Sequence, residues 1–181
     1  MNLSLKAKLC LFVLSAVIFV TAFAQDVSAQ RRVYTASSNA RVSAGSAANL
    51  DADEREVFDL VNQERSKKGL GELNWDANLS RLARAYSQKM ARENFFSHYD
   101  KDGGSVDTRA RDMRIKNWSK IGENLFYCEG YDSPNLLAVR GWMKSPSHRE
   151  NILDPEYTDS GIGIAQSADG RIYITQVFIE R

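Results

Sequence analysis

The stretch GIGIAQSADGRIYITQVFIE, residues 161–180, carries two runs of β-formers with a turn signal between them. Ile162 and Ile164 lie in the first run, and Ile172, Ile174, Val177, Phe178 and Ile179 in the second, separated by Asp169-Gly170. β-branched and aromatic side chains suit a pleated surface, and Asp-Gly readily takes up the backbone of a tight hairpin turn. The segment therefore reads as an antiparallel hairpin. The patterns ahead of it are mostly helical. Helices first and a hairpin last argue for an α+β domain rather than a parallel βαβ fold.

Working back from the hairpin, Val57, Leu60 and Val61 recur at helical spacing from about Asp51, with acids gathered at the start and Gly69 at the end. Leu73 to Trp75 is a short extended piece. Asp76 then caps a second helix, whose apolar stripe is Leu79, Leu82, Ala83, Tyr86 and Met90. Such a stripe is core. Gly103-Gly104 marks a loop, and Asp107 or Thr108 opens a short helix. Ser133-Pro134 and Ser145-Pro146 each place proline at a first helical position, starting two more helices that carry Leu137 and Trp142, and run through Leu153.

The N-terminal part has a different character. Lys6 and Lys8 precede an apolar run from Leu9 to Ala24, and Ala22-Phe23-Ala24 is a small-x-small cleavage site, with Val27-Ser28-Ala29 as an alternative. This is the pattern of a secretory signal peptide over 1–24. The run is shorter than the about 20 apolar residues of a spanning helix, so no membrane span is expected after cleavage. Residues 25–50 lack apolar periodicity and are rich in Ala and Ser, which reads as a disordered linker. The domain then occupies 51–181.

Removal of the signal takes away two lysines and no acids, leaving 22 Lys and Arg against 23 Asp and Glu, a net charge of −1. There is no basic excess for phosphates, which argues against nucleic acid as a partner. Cys10 lies in the signal, so Cys128 is the only cysteine of the exported part. An intramolecular disulfide is excluded, and burial as a small apolar residue is the expectation for Cys128. A domain of about 130 residues buries roughly two thirds of its unfolded surface, enough for a core to suffice.

The chain has two histidines, His98 after Phe95-Phe96-Ser97 and His148 within Ser145-Pro146-Ser147-His148-Arg149-Glu150-Asn151. Between them Glu123 is flanked by Gly122 and Asn124, a setting for a fixed, partly buried carboxylate. Two imidazoles and one carboxylate are a possible ligand set for a divalent cation, although no His-x-x-x-His spacing supports it. Hydrogen-bonded structural side chains are the competing reading.

Further stretches join these: Asn62-Gln63-Glu64-Arg65, Leu73-Asn74-Trp75-Asp76, Ile121-Gly122-Glu123-Asn124-Leu125, Trp142 through Leu153, Gly161-Ile162-Gly163, and Tyr173-Ile174-Thr175-Gln176-Val177-Phe178. In this order the set resembles the CAP superfamily, or SCP domain, of cysteine-rich secretory, antigen 5 and pathogenesis-related proteins, in its bacterial form. The resemblance covers about 55–181. It implies an α-β-α sandwich, with a central antiparallel sheet flanked by helices, and a cleft that in many relatives holds two His and two Glu. His98, Glu123 and His148 match three of these four, as catalytic or metal-ligating residues. The fourth position is Ser145, which departs from the pattern, and a neutral hydroxyl is a poor ligand. Ser145 and Asn124 are expected as cleft neighbours. The three matching groups should converge within about 4–5 Å of a common point, given metal–ligand bonds near 2 Å.

What the resemblance implies for function is a secreted, extracellular or periplasmic module, expected as a monomer, for a lipid-like or cell-envelope ligand, with a cleft able to hold a divalent cation such as zinc. A metal-assisted, peptidase-like hydrolase using His98, His148 and Glu123 is one alternative. A structural or interaction protein with a non-catalytic cleft is another. Asn124, Arg149, Asn151, Thr175 and Gln176 read as a structural network. No Gly-x-Ser-x-Gly elbow occurs, and Ser145 and Ser147 sit before a helix where serine usually caps.

N-terminal sequencing of exported material is expected to begin at Gln25, or at Gln30 if the second site is used. Recovery of the intact Met1 chain in a membrane fraction would instead indicate an anchor.

Overall fold

The computed structural model describes residues 47–181. The signal peptide 1–24 and nearly all of the linker lie outside the described residues. Helix α1 spans Ala47–Ser66, β1 Asn74–Trp75, α2 Ala77–Glu93, α3 Val106–Asp112 and β2 Lys120–Cys128. Then follow α4 Pro134–Lys144, α5 Pro146–Leu153, β3 Asp159–Gln166 and β4 Ile172–Glu180. Among the described residues no helix is long and apolar enough to cross a membrane.

The hairpin forms as read. Strands β3 and β4 pair antiparallel with Ile164 opposite Ile174, and the Gly170 N–H closes the turn on the Ser167 carbonyl at 3.0 Å. Strand β2 pairs antiparallel with the other side of β4, and β1 lies beside β3, giving the order β1-β3-β4-β2. One feature departs from the expected antiparallel sheet. Asn74 and Trp75 run parallel to Asp159 and Ser160, so the sheet is mixed. The parallel strand stops after two residues because Asp76 turns away to cap α2, its carboxylate accepting from the N–H groups of Asn78 (2.7 Å) and Leu79 (3.1 Å).

Helix α1 starts four residues before Asp51, inside the stretch assigned to the linker. Ala47 and Ala48 are good helix formers, and Leu50 packs on the core. The acids Asp51, Asp53, Glu54 and Glu56 consequently sit in the body of the helix rather than its first turn.

Each β-strand alternates its side chains between faces. Ile162, Ile164, Ile174 and Phe178 point to one side, where Val57, Phe58, Val61, Ala138, Val139, Trp142 and Ile152 from α1, α4 and α5 cover them. Val177 and Ile179 point to the other side, against Leu79, Leu82 and Ala83 of α2 and Ala110 of α3. Helices on both faces of one sheet make the α-β-α sandwich. The two halves of β3 differ in bulk: its α1 face carries isoleucines and its α2 face carries Gly161 and Gly163. A Cβ at Gly163 would overlap the backbone of Ala83 and Arg84, and one at Gly161 the backbone of Leu79 and Ser80. Glycine in a strand permits this direct approach of a helix backbone.

Buried polar groups tie the layers. Glu54 of α1 is fully buried and accepts from the Ile164 N–H of β3 (3.0 Å) and from Arg84 Nε of α2 (2.8 Å). Asn62 holds the N–H and carbonyl of Leu73, and Arg65 donates to the carbonyls of Gly71, Ile152, Asp154 and Tyr157. Thus the Asn62–Arg65 motif pins loops to α1. Cys128 is free and buried, and burial pushes its thiol pKa up.

Gly163→Ala is expected to destabilise the domain near or above the upper end of the about 1–3 kcal/mol typical of overpacking, because rigid backbone rather than a mobile side chain stands in the way. Gly71→Ala, where a Cβ meets nothing within 4 Å, serves as the control in urea unfolding; equal midpoints for the two variants would contradict this account.

Candidate functional site

The site begins at the C-terminus of α2. Asn94 ends the helix in the left-handed conformation (φ 49°) with its N–H on the Met90 carbonyl. The chain then turns back along the sheet edge. Tyr86, buried on α2, donates its hydroxyl to the Ser97 carbonyl at 2.6 Å and fixes this loop. Burial pushes the Tyr86 phenol pKa up to about 12, so that the hydroxyl stays a donor across the physiological range. His98 follows directly.

Strand β2 supplies the second part. Its alternation sends Glu123 to the α2 and α3 side and Asn124 to the α5 side. Gly122 leaves room for the Tyr157 hydroxyl, which a Cβ there would overlap. Asn124 donates to the His148 carbonyl (3.0 Å) and accepts from Asn151 (2.9 Å), whose amide also reaches the Glu123 carbonyl (3.2 Å). These two asparagines fasten α5 to β2 and set the position of His148.

The rings of His98 and His148 are 6.3 Å apart between centroids and tilted by 36°. The structure therefore brings the two histidines together. Glu123 joins them, with Oε1 2.9 Å from His98 Nδ1. Its other oxygen is occupied by a residue the sequence did not single out: Arg109 of α3 donates from Nη2 to Glu123 Oε2 at 2.6 Å. Arg109 also lies 3.4 Å over the Tyr86 ring and donates to the carbonyls of Gly104 (3.0 Å) and His98 (3.3 Å). The Glu123 side chain is 3% exposed and that of Arg109 12%, whereas His98 is 50% exposed. An ion pair thus underlies an open imidazole.

This arrangement bears on the expected ligand set. Each Glu123 oxygen accepts one hydrogen bond, from His98 and from Arg109, so the carboxylate supports the His98 ring. Among the described residues no three His, Cys, Asp or Glu side chains are grouped to hold a metal ion. What fits a cation is the imidazole pair: with His98 Nδ1 turned to Glu123, its Nε2 is left for a ligand, as in carboxylate–histidine–metal arrangements. Burial first, and His98 second, hold the His148 pKa below its ordinary value of 6.5, so this ring stays neutral and able to coordinate or accept a hydrogen bond.

Ser145 forms the corner between α4 and α5. Its N–H bonds Gly141 and Trp142 carbonyls and its carbonyl accepts from the Arg149 N–H, while its hydroxyl caps neither helix. The rest of the expected network is structural in detail: Thr175 bonds Ser87 (2.8 Å), and Gln176 donates to Ser160 (3.1 Å). Arg149 is exposed, and its guanidinium donates to the Met143 carbonyl at 3.5 Å. Nothing in the spacing distinguishes Arg109 from Arg111, which pairs with Asp107 at the surface; the tertiary fold alone selects it.

The model of the cysteine-rich secretory protein family, CAP, matches residues 58–178. The chain is 39% identical over 131 residues to the uncharacterized protein YkwD of Bacillus subtilis, covering 72% of this chain and 48% of that protein. It is 37% identical over 128 residues to the uncharacterized membrane protein YlbC of the same organism, covering 71% and 34% respectively. The crystal structure of an extracellular SCP-domain protein from Bacillus anthracis superposes with a TM-score of 0.65 at 27% identity, covering 77% of this chain and 45% of that one. The chain spans about half or less of the length of these relatives.

Because the folded His148 ring binds its proton less tightly than the unfolded one, its contribution to stability is complete above 6.5 and declines as pH falls towards the folded-state midpoint. The His148 ring resonances should titrate with a midpoint below 6.5, and His98→Ala should raise that midpoint only in part, since burial remains. A midpoint at or above 6.5 in the unsubstituted domain would contradict the partly buried, paired setting.

Proposed function

From a chain that belongs to the cysteine-rich secretory protein (CAP) family, we propose an exported binding module whose imidazole cleft holds a lipid-like or cell-envelope ligand, with a divalent cation such as zinc as an auxiliary. The observation that carries binding over hydrolysis is the state of Glu123. A general base must reach water or substrate, and here the carboxylate is 3% exposed, with its oxygens accepting from His98 and Arg109. The His98 imidazole, by contrast, is half exposed. In chemical terms a zinc ion would supply a Lewis-acidic anchor for a ligand oxygen. His98 and His148 would hold it, and Glu123 would orient His98.

Aromatic rings beside the cleft support an amphipathic ligand. Phe96, two residues before His98, is 45% exposed, and Tyr127, four residues beyond Glu123 on β2, is 51% exposed. Their centroids are 4.8 Å apart. Four strand residues span about 13 Å, so an apolar platform and the polar imidazoles share one edge of the domain. Pockets that pair aromatic surface with a few placed polar groups are usual for small-molecule recognition. Export rests on the signal pattern of residues 1–24, and the extracellular SCP-domain relative from Bacillus anthracis agrees with it.

The test uses the chain from Gln25 onward. Equilibrium dialysis against Zn²⁺ is expected to show one weak site, weakened at least about tenfold, or about 1.4 kcal/mol, in His98→Ala/His148→Ala. Co-sedimentation with phospholipid vesicles and with purified cell-wall material should show retention on one of them, reduced in Phe96→Ala/Tyr127→Ala. Absence of retention on both, together with a casein-cleaving activity abolished by Glu123→Gln, would replace this reading by the hydrolase.

A further inference from the structure

We propose that Arg109 is a positioning residue which, acting through Glu123, fixes the tautomer of His98 so that the cleft presents the Nε2 lone pair. The inference rests on the reading of the cleft as a place where imidazole receives a ligand, but its geometry stands separately. Arg109 has donors only, and an ionised carboxylate has acceptors only. With Oε2 bonded to Arg109 Nη2 at 2.6 Å, Oε1 faces His98 Nδ1 at 2.9 Å. The Glu123 oxygen can only accept in that contact, so Nδ1 must carry the proton. The neutral ring then has its lone pair on Nε2, the nitrogen turned away from Glu123.

Arg109 is what holds Glu123 in this role. The carboxylate is 3% exposed, and a buried charge without its partner must move or find another. The guanidinium is itself held by the Tyr86 ring at 3.4 Å and by the Gly104 and His98 carbonyls. Through Tyr86, which also bonds the Ser97 carbonyl, the series runs without a break from the core of α2 to the exposed ring. Without Arg109 nothing fixes the orientation of the Glu123 carboxylate, so the Oε1 contact with His98 Nδ1 is loosened and the ring shifts towards its preference in water, with the proton on Nε2.

A single isosteric change turns this logic around. In Glu123→Gln the carboxamide has one accepting oxygen and one donating nitrogen. Arg109 can only donate, so it claims the oxygen and leaves the NH₂ group facing His98. Nδ1 must then accept, and the proton moves to Nε2. A merely structural Arg109 predicts no such inversion.

The ring ¹⁵N shifts of His98, recorded on the metal-free domain about two pH units above the ordinary histidine value of 6.5, distinguish the two tautomers. The expected results are Nδ1–H in the unsubstituted domain, Nε2–H in Glu123→Gln, a shift towards Nε2–H in Arg109→Met, and retention of Nδ1–H in Arg109→Lys. An Nε2–H tautomer in the unsubstituted domain, or no change in a folded Arg109→Met, would overturn the proposal. If Arg109→Met does not fold, Glu123→Gln decides: inversion supports the role of Arg109, and retention of Nδ1–H overturns it. The shifts are read without ligand. The expected tautomers combined with an absence of Zn²⁺ binding would therefore sink the binding reading and leave the positioning role in place.

Discussion

The backbone of α2 rests directly on β3 because Gly161 and Gly163 place no side chains between them. Much of the molecule follows from that contact. It brings the stripe of Leu79, Leu82 and Ala83 down onto Val177 and Ile179 of the neighbouring strand. It also fixes where α2 ends relative to the sheet edge. From that end the left-handed turn at Asn94 sends Phe95 to His98 back along β2, and Tyr86 locks the loop by its bond to Ser97. Moving α2 outward by the width of a methyl group would carry both Tyr86 and His98 away from Glu123. A pair of glycines in β3 thereby sets hydrogen bonds two strands away, at the β2 edge of the sheet.

The second organising principle is the treatment of buried charge. With Cys128 free, no disulfide ties the described domain, and buried polar groups join elements that are remote in sequence. Glu54 links α1, α2 and β3, Arg65 gathers four carbonyls, and Arg109 with Glu123 joins α3 to β2. Each of these charges has several partners, which is the condition under which burying it is tolerable. Glu54 and Glu123 are alike in this respect: each is a buried acid that accepts from an arginine. What sets Glu123 apart is its second side-chain partner, an exposed imidazole, so that a structural ion pair reaches the surface as an oriented ring.

Local signals made much of the fold readable. Asp76 caps α2, the Ser-Pro pairs open α4 and α5, and Asp169-Gly170 lies in the turn between β3 and β4. Strand β2 escaped the pattern because Lys120–Cys128 holds Gly122, Glu123 and Asn124 in its middle, where an alternating apolar strand would hold valine or isoleucine. Those three residues serve the site and its supports rather than an apolar face. The brief parallel pairing of β1 likewise had no sequence mark, since two residues are too few to show a period.

For the site, the sequence alone determined the rare residues: two histidines and an acid in a Gly-Glu-Asn setting. It also determined the caps and turns, because these depend on contacts within a few residues of one another. The tertiary structure decided which groups oppose which. Arg109 and Arg111 are equivalent as sequence, yet one stacks on Tyr86 and holds Glu123 while the other meets Asp107 at the surface. Glu123 was a plausible ligand as sequence, and the fold set its two oxygens against His98 and Arg109. The physical reason is that a carboxylate's role depends on where its donors stand, and those donors come from elements whose approach is set by packing across the whole sheet.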